Sequence, residues 1–247
     1  MNEKIIYGFH PVKEALLTGR KPEKIFLKKG AENQAAAQII RLARTEGIPV
    51  QYVPEEKLYK LSAGGNHQGI AARFSGLEYV TLEEAVARAG TLSKWPLVLL
   101  LDGVSDVRNF GAIARTAECA GVGSLIVPAK GGAAVNEESI RTSAGALLRI
   151  PVCRVPNLRT ALFYLKDMGY TIIGTDSKGD APLYRTSFKR PVALVLGSEG
   201  AGLSRGVRSL CDHLVAIPQL GAIGSLNVSA AAAVVLFEAV RQKTEQL

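Results

Sequence analysis

The chain is poor in the residues from which metal centres and disulfide frameworks are built. It has three cysteines and three histidines in 247 residues. Cys119, Cys153 and Cys211 lie far apart, with no C-x-x-C spacing. That excludes a zinc ribbon or a thioredoxin-type pair, and three buried thiols in a reducing compartment are expected. His10, His67 and His213 are equally dispersed, so no metal site is expected. Long apolar runs are missing too. None approaches the roughly 18 residues of a membrane span, and Met1-Asn2-Glu3-Lys4 does not open a signal peptide. A soluble, cytoplasmic protein with no membrane partner is expected. Aromatic residues make up 6% of the chain and form no stacking stripe. Two nucleotide fingerprints are also absent. There is no G-x-x-x-x-G-K-[ST], and the turn Asp102-Gly103-Val104-Ser105-Asp106 does not fit G-x-G-x-x-G.

What is present is apolar mass and positive charge. Hydrophobic residues make up 47%, enough for one large core or two modest ones. The formal charge is +8, which suggests a polyanionic partner, usually nucleic acid. Residues 1–80 carry 12 Lys/Arg against 8 Asp/Glu, and residues 96–247 carry 16 against 12. Each stretch is therefore +4, and the excess is denser in the first, as expected if that part docks the polyanion.

Residues 1–76 read as a small α/β unit. Ile5-Ile6-Tyr7, Lys24 to Lys28, Val50 to Val53 and Gln68 to Phe74 are the expected strands. Helices are expected from Pro11, from an Asn33 cap and after Pro54. Residues 77–95 read as a connector with one helix capped by Thr81, and Trp95-Pro96 marks a boundary. From residue 96 to residue 247 the pattern changes to unbroken apolar runs at 97–101, 124–127, 151–155, 171–174, 192–196 and 214–217. Runs without alternation predict strands buried on both faces, as in a mostly parallel sheet. Helical stretches between them (109–120, 137–147, 158–168, 205–210 and 228–242) predict an open α/β sheet. Its ligand site should lie at the strands' C-terminal ends.

Two late turns stand out. Leu196-Gly197-Ser198-Glu199-Gly200-Ala201-Gly202 ends one run, and Ile217-Pro218 through Ser225-Leu226-Asn227-Val228-Ser229 follows another. A core strand has no need of Glu199 at its end. Each polar residue has a plain structural reading: Glu199 as a first-turn carboxylate, Ser225 and Asn227 as caps of the last helix, Asn109 as a helix start. Arg115, beside Ala114, Ala117 and Ala120, either snorkels to solvent or meets an anion. Arg141 and Arg149 read as ordinary surface arginines, and His10 and His67 as residues with local structural roles.

Taken in order, these segments resemble a known family. Asn109-Phe110-Gly111-Ala112-Ile113-Ala114-Arg115, Leu196 to Gly202, and Ile217 to Ser229 resemble the three motifs of the SpoU/TrmH branch of the SPOUT RNA methyltransferases. Tyr7-Gly8-Phe9-His10-Pro11-Val12 and His67-Gln68-Gly69-Ile70-Ala71-Ala72-Arg73 resemble the ribosomal-protein-like RNA-binding domain of the bacterial 23S rRNA guanosine-2′-O-methyltransferase type. The resemblance implies a deep trefoil knot in the C-terminal domain, S-adenosylmethionine as cofactor, structured RNA as substrate and a homodimer whose sites are completed by both subunits. It also implies that Arg115 serves the 2′-hydroxyl, with Asn109, Glu199, Ser225 and Asn227 as the other active-site residues. The cofactor would be held near Thr175, Gly197, Ile217 and Leu226. The alternatives are a tRNA ribose methyltransferase and a non-catalytic RNA-binding or ribosome-assembly factor.

Overall fold

The apolar runs become a seven-stranded, all-parallel sheet. The strands are β5 (Leu97–Asp102), β6 (Ser124–Pro128), β7 (Val152–Val155), β8 (Thr171–Thr175), β9 (Ala181–Pro182), β10 (Val192–Gly197) and β11 (His213–Ala216). Their order is β7-β6-β5-β10-β8-β11-β9. Residues 97–101 of β5 and all of β10 are buried, as lack of alternation predicted. The two-residue β9 escaped the sequence reading. Because every strand points the same way, the loops after β5, β8, β10 and β11 leave from one edge. The computed structural model describes residues 3–18, 22–30, 34–75, 79–222 and 224–244. The expected Asn33 cap and Gly76 lie outside the described residues.

The helices of this unit are α4 (Leu82–Leu92), α5 (Val107–Cys119), α7 (Leu158–Asp167), α8 (Arg205–Arg208) and α9 (Val228–Thr244). Thr81 caps α4 through a full capping box with Glu84. The last helix packs against α5. Its polar residues are functional in packing: buried Gln242 accepts from Phe188 N and donates to Thr186 O, both at 2.8 Å. Gln242 also donates to buried Glu238 at 2.8 Å. Gln242→Ala would strand two buried backbone groups. It is expected to cost about 2 kcal/mol or more, read as a lower midpoint in urea unfolding with an unchanged slope.

The other unit comprises residues 1–78 together with 135–149. Its four-stranded sheet has β1 (Glu3–Tyr7), β2 (Lys24–Lys28), β3 (Val50–Val53) and β4 (Ile70–Ser75) in the order β1-β4-β2-β3. Only β2 and β3 are parallel. Helices α1 (Phe9–Leu17), α2 (Gln34–Thr45) and α3 (Glu55–Leu61) complete the N-terminal part. In sequence, residues 135–149 lie between β6 and β7, yet they pack here. The single helix expected over 137–147 is two short pieces, α6 (Glu137–Thr142) and a 3-10 turn at Ala146–Leu148. Ala144 and Gly145 between them adopt φ of +50° and +89°, which an α-helix does not tolerate. Arg141 and Arg149 are not free surface cations: Arg141 donates to Tyr7 Oη at 2.8 Å and Arg149 pairs with Glu14 at 2.5 Å. His67 has the expected local role, its Nδ1 accepting from Gly69 N at 3.0 Å. One cysteine corrects the reading of three buried thiols: Cys153 is buried and Cys211 half-buried, but Cys119, at the end of α5, is exposed.

Candidate active site

At the C-terminal edge of the parallel sheet a cavity of about 370 Å³ opens between the loops after β8, β10 and β11. Thr175, Gly197, Glu199, Ile217, Ser225 and Leu226 line it. Six of the nine site residues expected from sequence therefore meet at one cavity. Two more are tied to its rim. Asn109 Nδ2 donates to Glu199 Oε2 at 3.1 Å, and Asn227 Nδ2 donates to Asn109 Oδ1 at 3.1 Å and to Glu199 Oε2 at 3.4 Å. Three segments, separated by 90 and 28 residues, thus converge on one carboxylate. Arg115 is the exception. It is exposed and does not line the cavity. Six residues of α-helix carry it roughly 9 Å along α5 from Asn109 and ~120° around the axis.

Local structure explains how these side chains come free. Asn109 does not start α5; Asp106 does, its Oδ1 accepting from Asn109 N at 2.7 Å. Two side chains of capping type lie three residues apart, and the backbone gives the cap to the first. Asn109 is thereby left on the helix surface to meet Glu199. Glu199 is not in a helix at all. It sits in the tight turn closed by Ser198 N to Gly202 O and Gly202 N to Ser198 O, both 3.0 Å, before α8 begins. A helix dipole cannot account for it. Gly200 and Gly202 have φ of +90° and +66°, which lets the turn double back so sharply. Asn227 does cap α9, its Oδ1 accepting from Ser229 N at 2.9 Å, but its amide still faces Asn109 and Glu199. Capping and site-building are two ends of one side chain.

The sequence reading missed several residues here. Asp102, at the end of β5, accepts from Ser204 N at 2.7 Å and so anchors the far end of the Glu199 turn. Its signal was available: a carboxylate closing five apolar residues. Asp176 and Lys178 line the cavity after Thr175, and Arg208 pairs with Asp176. Cys211 is no hidden nucleophile. Burial pushes its thiol up to about 11, with Asp212 adding to the effect, so it stays protonated. Among the described residues no group of three or more His, Cys, Asp or Glu is placed to hold a metal ion.

The sequence and the fold that carry this cavity have counterparts among known proteins. The SpoU rRNA methylase family model matches residues 96–237, and the model described as the RNA 2′-O ribose methyltransferase substrate-binding domain matches residues 5–80. This chain belongs to the SpoU family of RNA methylases. A Staphylococcus saprophyticus protein named for the TrmH family of tRNA/rRNA methyltransferases is 37% identical over 243 residues, 98% of this chain and 97% of its own. Among solved structures, the SpoU methyltransferase AviRb of Streptomyces viridochromogenes, in complex with AdoMet, superposes with a TM-score of 0.82 at 27% identity. That match covers 98% of this chain and 90% of AviRb. An AdoMet-bound rRNA methyltransferase of Sinorhizobium meliloti gives a TM-score of 0.82 at 26% identity over 97% of this chain and 87% of its own. No described helix of this SpoU protein is long and apolar enough to cross a membrane.

The cavity suits the family's cofactor, S-adenosylmethionine. Apolar Ile217, Leu226 and Val228 offer walls for an adenine ring. Acidic Asp176 and Glu199 and basic Lys178 and Arg208 offer both signs of charge for an amino acid end and a sulfonium. Parallel strand ends supply backbone groups between them.

Proposed function

We propose that this SpoU protein methylates a ribose 2′-hydroxyl of ribosomal RNA, specifically a guanosine of 23S rRNA. The observation that carries the reading is the Asn109–Glu199–Asn227 junction at the mouth of the cavity. Support for rRNA over tRNA comes from the N-terminal unit, which matches the substrate-binding family, whereas two solved tRNA-modifying enzymes align with only 67% and 60% of this chain. The intact junction speaks against a non-catalytic assembly factor, which has no use for it. The chain would act in the cytoplasm, on RNA engaged through phosphates and shape by the more basic N-terminal unit.

S-adenosylmethionine, when bound, supplies an electrophilic methyl group on a sulfonium. The protein must hold the 2′-oxygen in line and favour loss of its proton, because a neutral hydroxyl is a poor nucleophile. Asn109 and Asn227 fix Glu199 so that its carboxylate faces the cavity. Ser225 and Asn227 shape the ribose side, and Thr175, Gly197, Ile217 and Leu226 the cofactor side. A guanidinium stays protonated, so Arg115 serves as an anion anchor. It holds a phosphate next to the reacting ribose and stabilises the developing alkoxide. Its absence from the cavity of its own subunit supports a homodimer in which each Arg115 serves the partner's site. The trefoil path implied by the resemblance is compatible with α9 returning from the β11 side to pack on α5.

Two measurements test the proposal. Calorimetry with S-adenosylhomocysteine is expected to show binding, and no heat would remove the cofactor site. Mapping 2′-O-methyl groups on total RNA from cells with and without the protein is expected to show one missing guanosine methylation in 23S rRNA. A loss confined to tRNA would favour the tRNA reading.

A further inference from the structure

The N-terminal unit has a polar cavity of its own, about 580 Å³, lined by Tyr7, the Ser62–Gly65 turn, Asn136, Glu137 and Arg141. It is a wide depression open to solvent rather than an enclosed pocket. Its two halves come from stretches 70 or more residues apart, and the second half is the 135–149 segment.

The walls are held firmly. The Arg141 guanidinium lies 5.6 Å from the Tyr7 ring centroid, and its Nη1 donates to Tyr7 Oη at 2.8 Å. The guanidinium is thereby tied to the hydroxyl of Tyr7, while Arg141 remains exposed. The Ser62–Gly65 turn is pressed against the same tyrosine: a Cβ on Gly65 would fall 2.3 Å from Tyr7 Oη. Ala63 in that turn has φ of +47°, a left-handed conformation that a non-glycine residue adopts at a cost. Burial raises the Glu137 carboxyl above its usual value, opposed by a hydrogen bond from the Ile5 backbone and by the charge of Arg141. Asn136 spends its Oδ1 on Ser139 N at 2.9 Å, which leaves its amide as a donor.

We infer that this cavity binds an unpaired guanine base of the substrate RNA. The inference rests on the RNA methyltransferase reading and adds to it a base-reading subsite. A phosphate is the wrong ligand, because Glu137 and Glu138 both line the space and would repel it. A base suits it. Unpaired RNA bases are commonly stacked on arginine planes or aromatic rings and read along their edges. Arg141, backed by Tyr7, is such a platform. Guanine alone presents two adjacent donors, N1–H and the N2 amine, on its Watson–Crick edge, and one carboxylate accepts both. The donors of adenine, cytosine and uracil at that edge are each flanked by an acceptor, which a carboxylate repels. Asn136 then donates to guanine O6.

The test uses the full chain and fluorescein-labelled pentaribonucleotides UUGUU, UUAUU, UUCUU and UUUUU, followed by fluorescence anisotropy. The wild type is expected to bind UUGUU roughly tenfold or more tighter than the others, as for one bidentate base contact. Glu137→Gln should abolish that preference, and replacing G with inosine, which lacks the N2 amine, should reduce it. Arg141→Ala should weaken all four pentamers, through loss of the stacking plane. Each variant should bind S-adenosylhomocysteine as the wild type does, which separates this subsite from the cofactor site and from misfolding. Equal binding of the four pentamers, no binding, or an undiminished preference in Glu137→Gln overturns the inference. Loss of S-adenosylhomocysteine binding by the wild type would instead overturn the enzyme reading.

Discussion

Arg115→Ala is expected to lower kcat on rRNA by about 10²- to 10³-fold, the usual loss when one preorganised donor to a developing oxyanion is removed. S-adenosylhomocysteine binding should be unchanged, because Arg115 does not line the cavity. Arg115→Lys should recover only part of the rate. An ammonium keeps the charge but loses the planar fork that grips a phosphate at two points. The geometry permits a sharper experiment. Arg115 sits about 120° around α5 from Asn109, which meets Glu199, and it does not line its own subunit's cavity. If Arg115 serves the partner's site, Arg115→Ala protomers mixed with protomers inactive in the cavity should form one working site per mixed dimer. An equal mixture of the two inactive proteins then regains about a quarter of wild-type activity, by the symmetry of a twofold dimer. A mixture as inactive as its components, with exchange of subunits verified, would place Arg115 in its own subunit's site.

The contrast between Asn109 and Arg115 shows where the sequence was legible. The sheet could be read because its inner strands are buried on both faces: 97–101 and 192–196 contain no polar residue, and each run is short and bounded by Pro on one side and Gly close on the other, which favours a strand over a buried helix. The cavity could be read because Glu199 lies two residues past the end of β10, and Ser225 and Asn227 lie in the turn that leads from β11 into α9. The helix caps were less legible. Asp106 and Asn109 both suit a cap, and only backbone geometry gives the position to Asp106. The 135–149 segment could not have been placed from sequence. Its flanking strands belong to the parallel sheet, while its own contacts, Arg141 with Tyr7 and Arg149 with Glu14, span more than 130 residues. Periodicity reports which face of an element is buried, not which unit buries it.

Gly197→Ala is expected to abolish cofactor binding, for a reason specific to this turn. Gly197 ends β10 beside Asp102 of β5, and the chain then folds back so that Gly202 and Leu203 pass over it. A Cβ at 197 would lie 2.3 Å from Gly202 C and 2.5 Å from Leu203 N. Both are backbone atoms, so no rotamer change relieves the clash and the turn itself must open. Opening it would break the paired hydrogen bonds of Ser198 and Gly202 and strain the Asp102–Ser204 anchor. It would also displace Glu199 from Asn109 and Asn227. Overpacking of this kind costs roughly 1–3 kcal/mol, so the protein should still fold, with a lower Tm. The heat of S-adenosylhomocysteine binding should disappear, and methylation with it. Gly200→Ala provides the contrast. A Cβ there meets open space, and the penalty is only that of a left-handed φ. Cofactor binding should weaken in that variant without vanishing. Equal binding by Gly197→Ala and wild type would mean that the 198–202 turn is not a wall of the cofactor site, and the assignment of Gly197 and Glu199 would fall with it.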